Sequence, residues 1–252
     1  MPLETRSRAG AALAPKIDLP PPFTLVTLRE VGDAFAHAVE IAMQQGAGTL
    51  VYVGRFDLVE FAVVLEPDEP LHAARRAHYL GMTALLDALL SHAPPEKPIS
   101  IDWPDAIRVD AGLVGGGRLA WPKGAKEDER PDWLVFGGMI RTVSMTTDPG
   151  LFPMAVALEE EGFTDVASAE LVGSFARHLM VHIDELQEYG FGAIARQYLE
   201  RLPKEAGVRR AIDENGDLLV QRDGKRDAER VALIDALAAP SWLDTKSGGP
   251  RS

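Results

Sequence analysis

Hydrophobic and polar positions along the chain predict a group of β-strands in its middle, with helices on both sides. The runs at 49–53 and 58–65 are rich in β-branched and aromatic residues, which is typical of strands. Further apolar runs predict strands near 99–102, 107–110, 117–121 and 133–145. Because strands cluster in the middle and helices lie at both ends, we expect an α+β domain built on one mixed or antiparallel sheet.

Apolar residues at helical spacing predict the flanking helices. Thr27 and Glu30 form a capping-box pattern that predicts the start of the first helix, and Gly46 is its predicted end. The other helices of this domain are predicted at about 71–91, 167–188 and 191–202. We assign residues 23–203 to one domain. The Ala-, Pro- and Arg-rich residues 1–22 are expected to form a mobile tail.

The C-terminal residues 204–252 are predicted to form a small α+β unit. The dipeptide Asn215-Gly216 lies between two runs with apolar residues, at 208–212 and 217–221, which is a strong hairpin signal. The connection at 203–207 is polar and short of apolar anchors. We therefore expect that the unit can be removed without loss of a soluble core.

Composition narrows the function classes. The chain has 252 residues, with 46% hydrophobic and 25% charged residues, which is ordinary for a globular protein. A net charge of −12 argues against general nucleic-acid binding, which needs a basic face. No apolar run is long enough to span a membrane and no signal peptide is evident, so we expect a cytoplasmic protein without a membrane partner. The absence of cysteine excludes thiolate metal sites and cysteine nucleophiles.

Two short motifs lie within the predicted sheet. The first is Trp103-Pro104-Asp105-Ala106, at the end of a predicted strand. The second is Gly115-Gly116-Gly117-Arg118-Leu119-Ala120, which precedes a long apolar run that itself contains glycines. Taken alone, a Trp-Pro pair is most often packing and a glycine cluster is most often a turn. Their order, with apolar strands around them, is the more specific signal.

This order resembles the biotin/lipoate protein ligase family, which joins biotin or lipoate to a lysine of a carrier protein through an acyl-adenylate. The family pattern is Trp-Pro-Asn-Asp and then Gly-Arg-Lys-Leu-Ala-Gly. In this chain Asp105 replaces the asparagine, Ala106 the aspartate, and Arg118 stands where lysine is expected. The resemblance implies a mixed sheet flanked by helices, ATP and Mg²⁺ as cofactors where activity is retained, and two partners: an acid (biotin or lipoate) and a carrier domain.

The resemblance also implies roles for individual residues. Arg118 would stabilise the phosphate, with Lys123 able to reach the same place. The turn Gly115–Gly117, continued by Leu119 and Ala120, would let the backbone approach the ligand. Trp103 would form a wall of the acyl slot, Asp105 would lie near the triphosphate, and Arg55 would clamp phosphate. The Gly- and Arg-rich phosphate loop of the family is reduced here to Gly54-Arg55.

Three functions stay open from the sequence. The first, which is the leading interpretation, is a ligase-like protein that keeps ATP-dependent acyl-adenylate ligation to a carrier-protein lysine. The second is a non-catalytic member of the fold that binds an acyl ligand or a carrier domain, and the third is a protein–protein adaptor that uses the C-terminal unit. The missing lysine and the reduced loop are the features that separate the first function from the others, and they point away from full activity. No metal site is predicted: His178, His182 and Glu185 share one helical face, but histidines packed in the core are the better interpretation.

Overall fold

A computed structural model of the protein describes residues 17–145, 154–163 and 167–251. Residues 1–16 of the predicted tail (1–22) therefore lie outside the described residues. At its described end, Ile17 is 7% exposed and packs in the hydrophobic core, so this part of the tail is anchored. Within the described residues, no helix combines the length and the hydropathy needed to cross a membrane.

A seven-stranded sheet organises the main domain, and this confirms the α+β prediction. The strand order is β1-β2-β3-β7-β6-β5-β4, in which β1 pairs parallel with β2 and all other neighbours are antiparallel. The strands are β1 (Thr24–Leu28), β2 (Thr49–Gly54), β3 (Leu58–Leu65), β4 (Ile99–Asp102), β5 (Ala106–Val109), β6 (Gly112–Ala120) and β7 (Leu134–Arg141). The helices are α1 (Ala34–Gln45), α2 (Leu71–Ala74), α3 (Ala77–Leu90), α4 (Ser168–Tyr189), α5 (Phe191–Glu200) and α6 (Leu233–Leu237).

Helices cover both faces of the sheet, which explains why its strands are apolar at nearly every position. On β2, Val51 and Val53 face α1, whereas Leu50 and Tyr52 face the cluster formed with α3 and α4. The small buried residues of α1, among them Ala38, let this helix approach the sheet closely. We call the two sides the α1 face and the α3 face.

The predicted capping box at Thr27 is wrong. Thr27 belongs to β1, which adds to the edge of β2, because parallel pairing satisfies the backbone of this short apolar segment. The helix begins only at Ala34, where the Asp33 carboxylate accepts the Ala36 N–H at 2.9 Å. Val31, which falls inside the predicted helix, is 97% exposed in the loop before α1.

The helix predicted over 71–91 is interrupted. Its two parts, α2 and α3, are separated by Arg75 and Arg76, where the N–H groups of His78 and Tyr79 bond the carbonyls three residues back. The guanidinium of Arg75 holds this tightened turn by pairing with Glu127 at 2.7 and 2.6 Å. The long loop that carries Glu127 is thereby fixed to the helical layer.

The C-terminal unit consists of a three-stranded sheet, α6 and a terminal hairpin. Its strands are β8 (Val208–Ile212), β9 (Leu218–Arg222), β10 (Glu229–Val231), β11 (Leu243–Asp244) and β12 (Gly249–Pro250). The predicted hairpin is confirmed as β8–β9. Leu233 is fully buried in the main core, and Trp242 is 1% exposed against the large sheet. These contacts argue against the expectation that the unit can be removed without loss of a soluble core.

Candidate functional site

Charged side chains meet on the α1 face of the sheet, at the start of α1. Arg118 on β6 is 19% exposed, and its guanidinium donates to the Asp33 carboxylate at 3.2 Å. The Arg118 Cζ lies 4.1 Å from the ring centroid of Phe35, in the first turn of α1. Burial lowers the pKa of Arg118, and the negative charges of Asp33 and Glu60 act in the opposite direction.

Glu60 is a buried carboxylate in the middle of β3. It is 4% exposed, and its Oε1 accepts the Ala34 N–H at 2.8 Å, at the first residue of α1. Burial raises the pKa of Glu60, while the Ala34 N–H and the charges of Arg55 and Arg118 act against that rise. The positive end of the α1 dipole and two arginines therefore act on a carboxylate that belongs to the protein.

Arg55 lies in the turn between β2 and β3, and its donors are engaged within that turn. Its Nε and Nη2 donate to the two oxygens of Asp57 at 3.0 and 2.8 Å, a bidentate pair. This hydrogen bonding raises the pKa of Arg55 and lowers that of Asp57. The resemblance implied that Arg55 clamps phosphate. In the structure its guanidinium is already paired with the Asp57 carboxylate.

The residues of this cluster do not fit a triphosphate. Two arginines, Arg55 and Arg118, face three carboxylates, those of Asp33, Asp57 and Glu60. A polyanion needs an excess of positive charge at its binding site. The part of the chain that the structure describes also holds no group of three or more His, Cys, Asp or Glu side chains suited to a metal ion. A single carboxylate could pair with Arg118, because Asp33 is an exposed and exchangeable partner.

The protein's own atoms occupy the side-chain positions of the three predicted glycines. A Cβ on Gly115 would lie 2.0 Å from the Met139 carbonyl oxygen. On Gly116 it would meet the Trp242 ring at 2.4 Å, and on Gly117 the Met82 sulfur at 2.6 Å. Ligand access to this backbone stays a prediction, and the glycines serve close packing in this structure.

The other predicted site residues lie in several places. Trp103 donates its indole N–H to the Tyr79 hydroxyl at 3.0 Å and packs, like Leu119, with the core of the α3 face. Ala120 packs on the α1 face. Lys123 is exposed in the turn after β6. Arg55, Arg118 and Ala120 are therefore on one face, and Trp103 is not brought to Arg118.

Asp105 is buried and is bonded to the C-terminal unit. It is 1% exposed, and its carboxylate accepts the backbone N–H and the hydroxyl of Ser241 at 2.9 and 2.5 Å. Burial raises the pKa of Asp105 to about 6, although the bonds from Ser241 act to lower it. The residue predicted to lie near phosphate thus holds a segment of the protein itself.

Four residues of the cluster were missed by the sequence prediction: Asp33, Phe35, Asp57 and Glu60. Glu60 carried a usable signal, because it is the one charged residue in the apolar run 58–65. Asp33 and Phe35 carried little signal, since their roles depend on where α1 begins. His178 and His182 were interpreted as core or partly buried histidines. His182 is buried with its ring between Asp87 and Glu185, and His178 is partly buried.

Comparison with known proteins assigns this arrangement to a class. The sheet and helices match solved biotin protein ligases: that of Aquifex aeolicus superposes with a TM-score of 0.65 at 16% identity, covering 83% of this chain and 95% of that one. The same enzyme in complex with biotin and ATP gives a TM-score of 0.61 at 16% identity, covering 82% and 94%. At this identity the likeness shows the fold.

The family follows from the sequence. The biotin/lipoate A/B protein ligase family matches residues 19–200, and the chain belongs to that family. A biotin protein ligase-like protein of unknown function from Silicibacter sp. TM1040 is 28% identical, with a TM-score of 0.76 over 88% of this chain and 99% of that one. No curated protein matches the chain.

Proposed function

We propose that this protein is a non-adenylating member of the biotin/lipoate ligase family that binds a small organic acid through Arg118. The observation that carries the proposal is the charge balance around Arg118. The cluster repels a triphosphate, but it presents a recessed guanidinium with one hydrogen bond, at 3.2 Å, to a described residue. A guanidinium has five N–H donors in a planar fork that matches a carboxylate.

The surroundings of Arg118 favour a monoanion over a larger charge. Asp33 is 54% exposed, so an incoming carboxylate can replace it without leaving an unpaired buried charge. Glu60 and Asp57 remain in place and oppose any further negative charge. When a ligand carboxylate replaces Asp33, the cluster keeps the net charge of two arginines against three carboxylates that it already has. ATP would add several further negative charges, which the cluster disfavours.

The test compares acid binding with adenylate formation. Butyrate and octanoate are titrated by NMR chemical shifts, and pyrophosphate release from ATP and Mg²⁺ is measured with octanoate, lipoate and biotin. We expect millimolar butyrate binding by the wild type, its loss in Arg118→Ala, and no pyrophosphate with any acid. Arg130→Ala is the matched control, because Arg130 is exposed and pairs with Asp68 elsewhere.

A retained ligase is the second candidate, favoured by the match to solved ligases and by the positive charge kept at Arg118. Pyrophosphate release by the wild type with any of the three acids would establish it and overturn the proposal. Arg118→Lys restores the residue of the family pattern. If only this variant releases pyrophosphate, the missing lysine is the cause of the inactivity and the proposal stands.

A further inference from the structure

Two consecutive residues at the start of α1 connect Arg118 with a buried carboxylate. The Asp33 side chain accepts a hydrogen bond from Arg118, and the Ala34 N–H donates one to Glu60 at 2.8 Å. Glu60 points to the α1 face of the sheet, because the next residue of β3, Phe61, belongs to the core of the α3 face. The guanidinium and the buried carboxylate therefore lie at the same helix terminus.

An aromatic ring fills the space on the sheet between these two groups. Strand β7 lies between β3 and β6, and its Gly137 is paired with Ala62 on one side and with Arg118 on the other. A Cβ on Gly137 would lie 2.5 Å from the Phe35 ring, so the ring lies directly on this row. The ring takes the place of water above β7, and the charges of Glu60 and Arg118 interact in part through protein.

The Glu60 carboxylate has an oxygen that can carry a proton. The residue is 4% exposed, and among the described residues its carboxylate accepts one hydrogen bond, that of the Ala34 N–H at Oε1. Its second oxygen, Oε2, is left for a proton. Burial raises the pKa of Glu60, while the Ala34 N–H acts to lower it. A carboxyl group in such surroundings responds to a change of charge nearby.

The other carboxylates of the cluster are less suited to take up a proton. Pairing with Arg55 lowers the pKa of Asp57, and Asp33 is exposed to water. The charged and titratable groups around this part of the sheet come from several elements: Asp33 and His37 of α1 and its cap, Arg55 and Asp57 of the β2–β3 turn, Arg118 of β6, Arg141 of β7, and Asp105, which is bonded to Ser241.

We propose that the acid site is coupled to a proton: binding of a carboxylate at Arg118 is linked to protonation of Glu60 from solvent. The incoming anion displaces Asp33, but Asp33 stays attached to α1 as its cap residue, so the surroundings of Glu60 gain negative charge. A proton on Glu60 offsets that gain. Linkage is reciprocal, so neutral Glu60 in turn favours the anion. This inference deepens the proposed function and rests on it.

The affinity for an organic acid should consequently fall as the pH rises. It is complete below the pKa of Glu60 in the free protein, and it is lost between that pKa and the higher pKa of Glu60 in the complex. Butyrate itself is an anion above about pH 5.5, so its own titration adds little in this range. Between about pH 5.5 and 8.5 we expect the wild-type affinity to fall by roughly fivefold or more.

The first experiment titrates butyrate by NMR at these two pH values into the wild type, Glu60→Gln and His37→Gln. Glutamine keeps an acceptor for the Ala34 N–H and stays neutral. Glu60→Gln should therefore bind butyrate equally at both pH values, and at the higher one more tightly than the wild type by roughly fivefold or more. His37 belongs to the same helix and pairs with Glu40 at 3.6 Å, so its variant is the matched control and should keep the fall in affinity.

A second control separates a titrating charge from a constant one. Asp57→Asn removes a negative charge of the same cluster, but the pairing with Arg55 keeps Asp57 ionised in this pH range. This variant should keep the fall in affinity between the two pH values. Calorimetry in phosphate and in Tris then counts protons, because the two buffers differ in their enthalpy of ionisation. We expect net proton uptake with butyrate in the wild type and none in Glu60→Gln.

The outcomes separate the two proposals. Arg118-dependent butyrate binding that is equally tight at both pH values overturns the proton coupling and leaves the proposed function standing. A fall in affinity that persists in Glu60→Gln, or disappears in His37→Gln or Asp105→Asn, also overturns the coupling. No butyrate binding by the wild type at either pH overturns the proposed function itself. If Glu60→Gln fails to fold, the proton count decides: no uptake by the wild type overturns the coupling, and uptake that is kept in His37→Gln and Asp105→Asn upholds it.

Discussion

Arg118 and Phe35 join the sheet to the first turn of α1 by a cation–π contact, with the guanidinium carbon 4.1 Å from the ring centroid. The same guanidinium bonds Asp33, the cap of that helix, so one side chain of β6 contacts both the cap and the first turn. The position of Arg118 therefore depends on α1, and the start of α1 depends on Arg118.

This relationship predicts a measurable coupling energy. We expect the double-mutant cycle of Arg118→Gln and Phe35→Leu to give a coupling of about 0.5–2 kcal/mol, because partly buried cation–π pairs lie in that range. Urea unfolding of the four proteins measures it. Additive effects of the two substitutions would show that the contact contributes nothing, and the pairing of Arg118 with Asp33 would then alone fix the side chain.

Replacing Asp105 with asparagine should remove a pH dependence of stability. The folded pKa of about 6 lies above the ordinary value of 3.8, because burial disfavours the charged form. The stability that this group contributes is complete below about pH 4 and is lost as the pH rises through about 6. Asparagine stays neutral and can still bond the N–H and hydroxyl of Ser241. It is also the residue of the family pattern at this position.

We expect Asp105→Asn to match the wild type near pH 4 and to exceed it at pH 8 by up to roughly 3 kcal/mol, since each pKa unit corresponds to about 1.4 kcal/mol. Urea unfolding at both pH values measures the difference. Asp244→Asn is the control, because that residue is only partly buried and its pKa is lowered by hydrogen bonds from Lys246 and Ser247. A variant less stable than the wild type at pH 8 would contradict the prediction.

The sheet could be predicted from the sequence because its strands are buried on both faces, so each is a continuous apolar run. The run 58–65 became β3 at the predicted bounds. The start of α1 could not be predicted in the same way. Thr27 and Glu30 satisfy the local capping pattern, but pairing of β1 with the edge of β2 is a long-range interaction that overrides it.

The site was predicted only in part, for a similar reason. Arg55 and Arg118 could be singled out because family motifs are local in sequence, and their roles in binding stay predictions. Trp242 lies 126 positions after Gly116 in the sequence, and nothing in the tail indicates that its indole covers a glycine of the central sheet. Trp103 was predicted to form a wall of the acyl slot, but it lies in the turn between β4 and β5 and packs on the α3 face, whereas Arg118 lies on the α1 face.

His182 should make the helical layer sensitive to pH. Its ring nitrogens bond Asp87 of α3 at 2.9 Å and Glu185 of α4 at 2.8 Å, while Arg201, just after α5, also bonds Asp87. Burial acts to lower the pKa of His182, but the two carboxylates outweigh it and raise the pKa above 6.5. The resulting stability is complete below about pH 6.5 and is lost as the pH rises through the folded pKa.

The melting temperature of the wild type is therefore expected to fall between pH 6 and 9. His182→Gln should lower it most at pH 6 and flatten this part of the profile, because the neutral amide keeps no charge between the carboxylates. Breaking such a buried pair costs about 3 kcal/mol. His37→Gln, on the exposed side of α1, is the matched control. A profile equally steep in His182→Gln would assign the pH dependence to other groups.

Gly116→Ala should be among the most destabilising single-methyl additions in the chain. The new Cβ would lie 2.0 Å from the Asp105 carbonyl oxygen and 2.4 Å from the Trp242 ring, and the backbone atom cannot move aside easily. Overpacking of a buried position typically costs about 1–3 kcal/mol, and a clash with backbone lies at or above the top of that range. The C-terminal segment 241–251 would be displaced together with Trp242, so intrinsic tryptophan fluorescence should shift to longer wavelength.

Gly192→Ala provides the control for that substitution. Gly192 lies within α5 and a Cβ there meets nothing within 4 Å, so alanine should stabilise the protein by about 0.5–1 kcal/mol through helix propensity. Urea unfolding with fluorescence detection measures both variants. A folded Gly116→Ala protein with wild-type stability and unchanged fluorescence would mean that β6 and the segment 241–251 tolerate a side chain between them. The close packing of Trp242 on Gly116 would then be wrong.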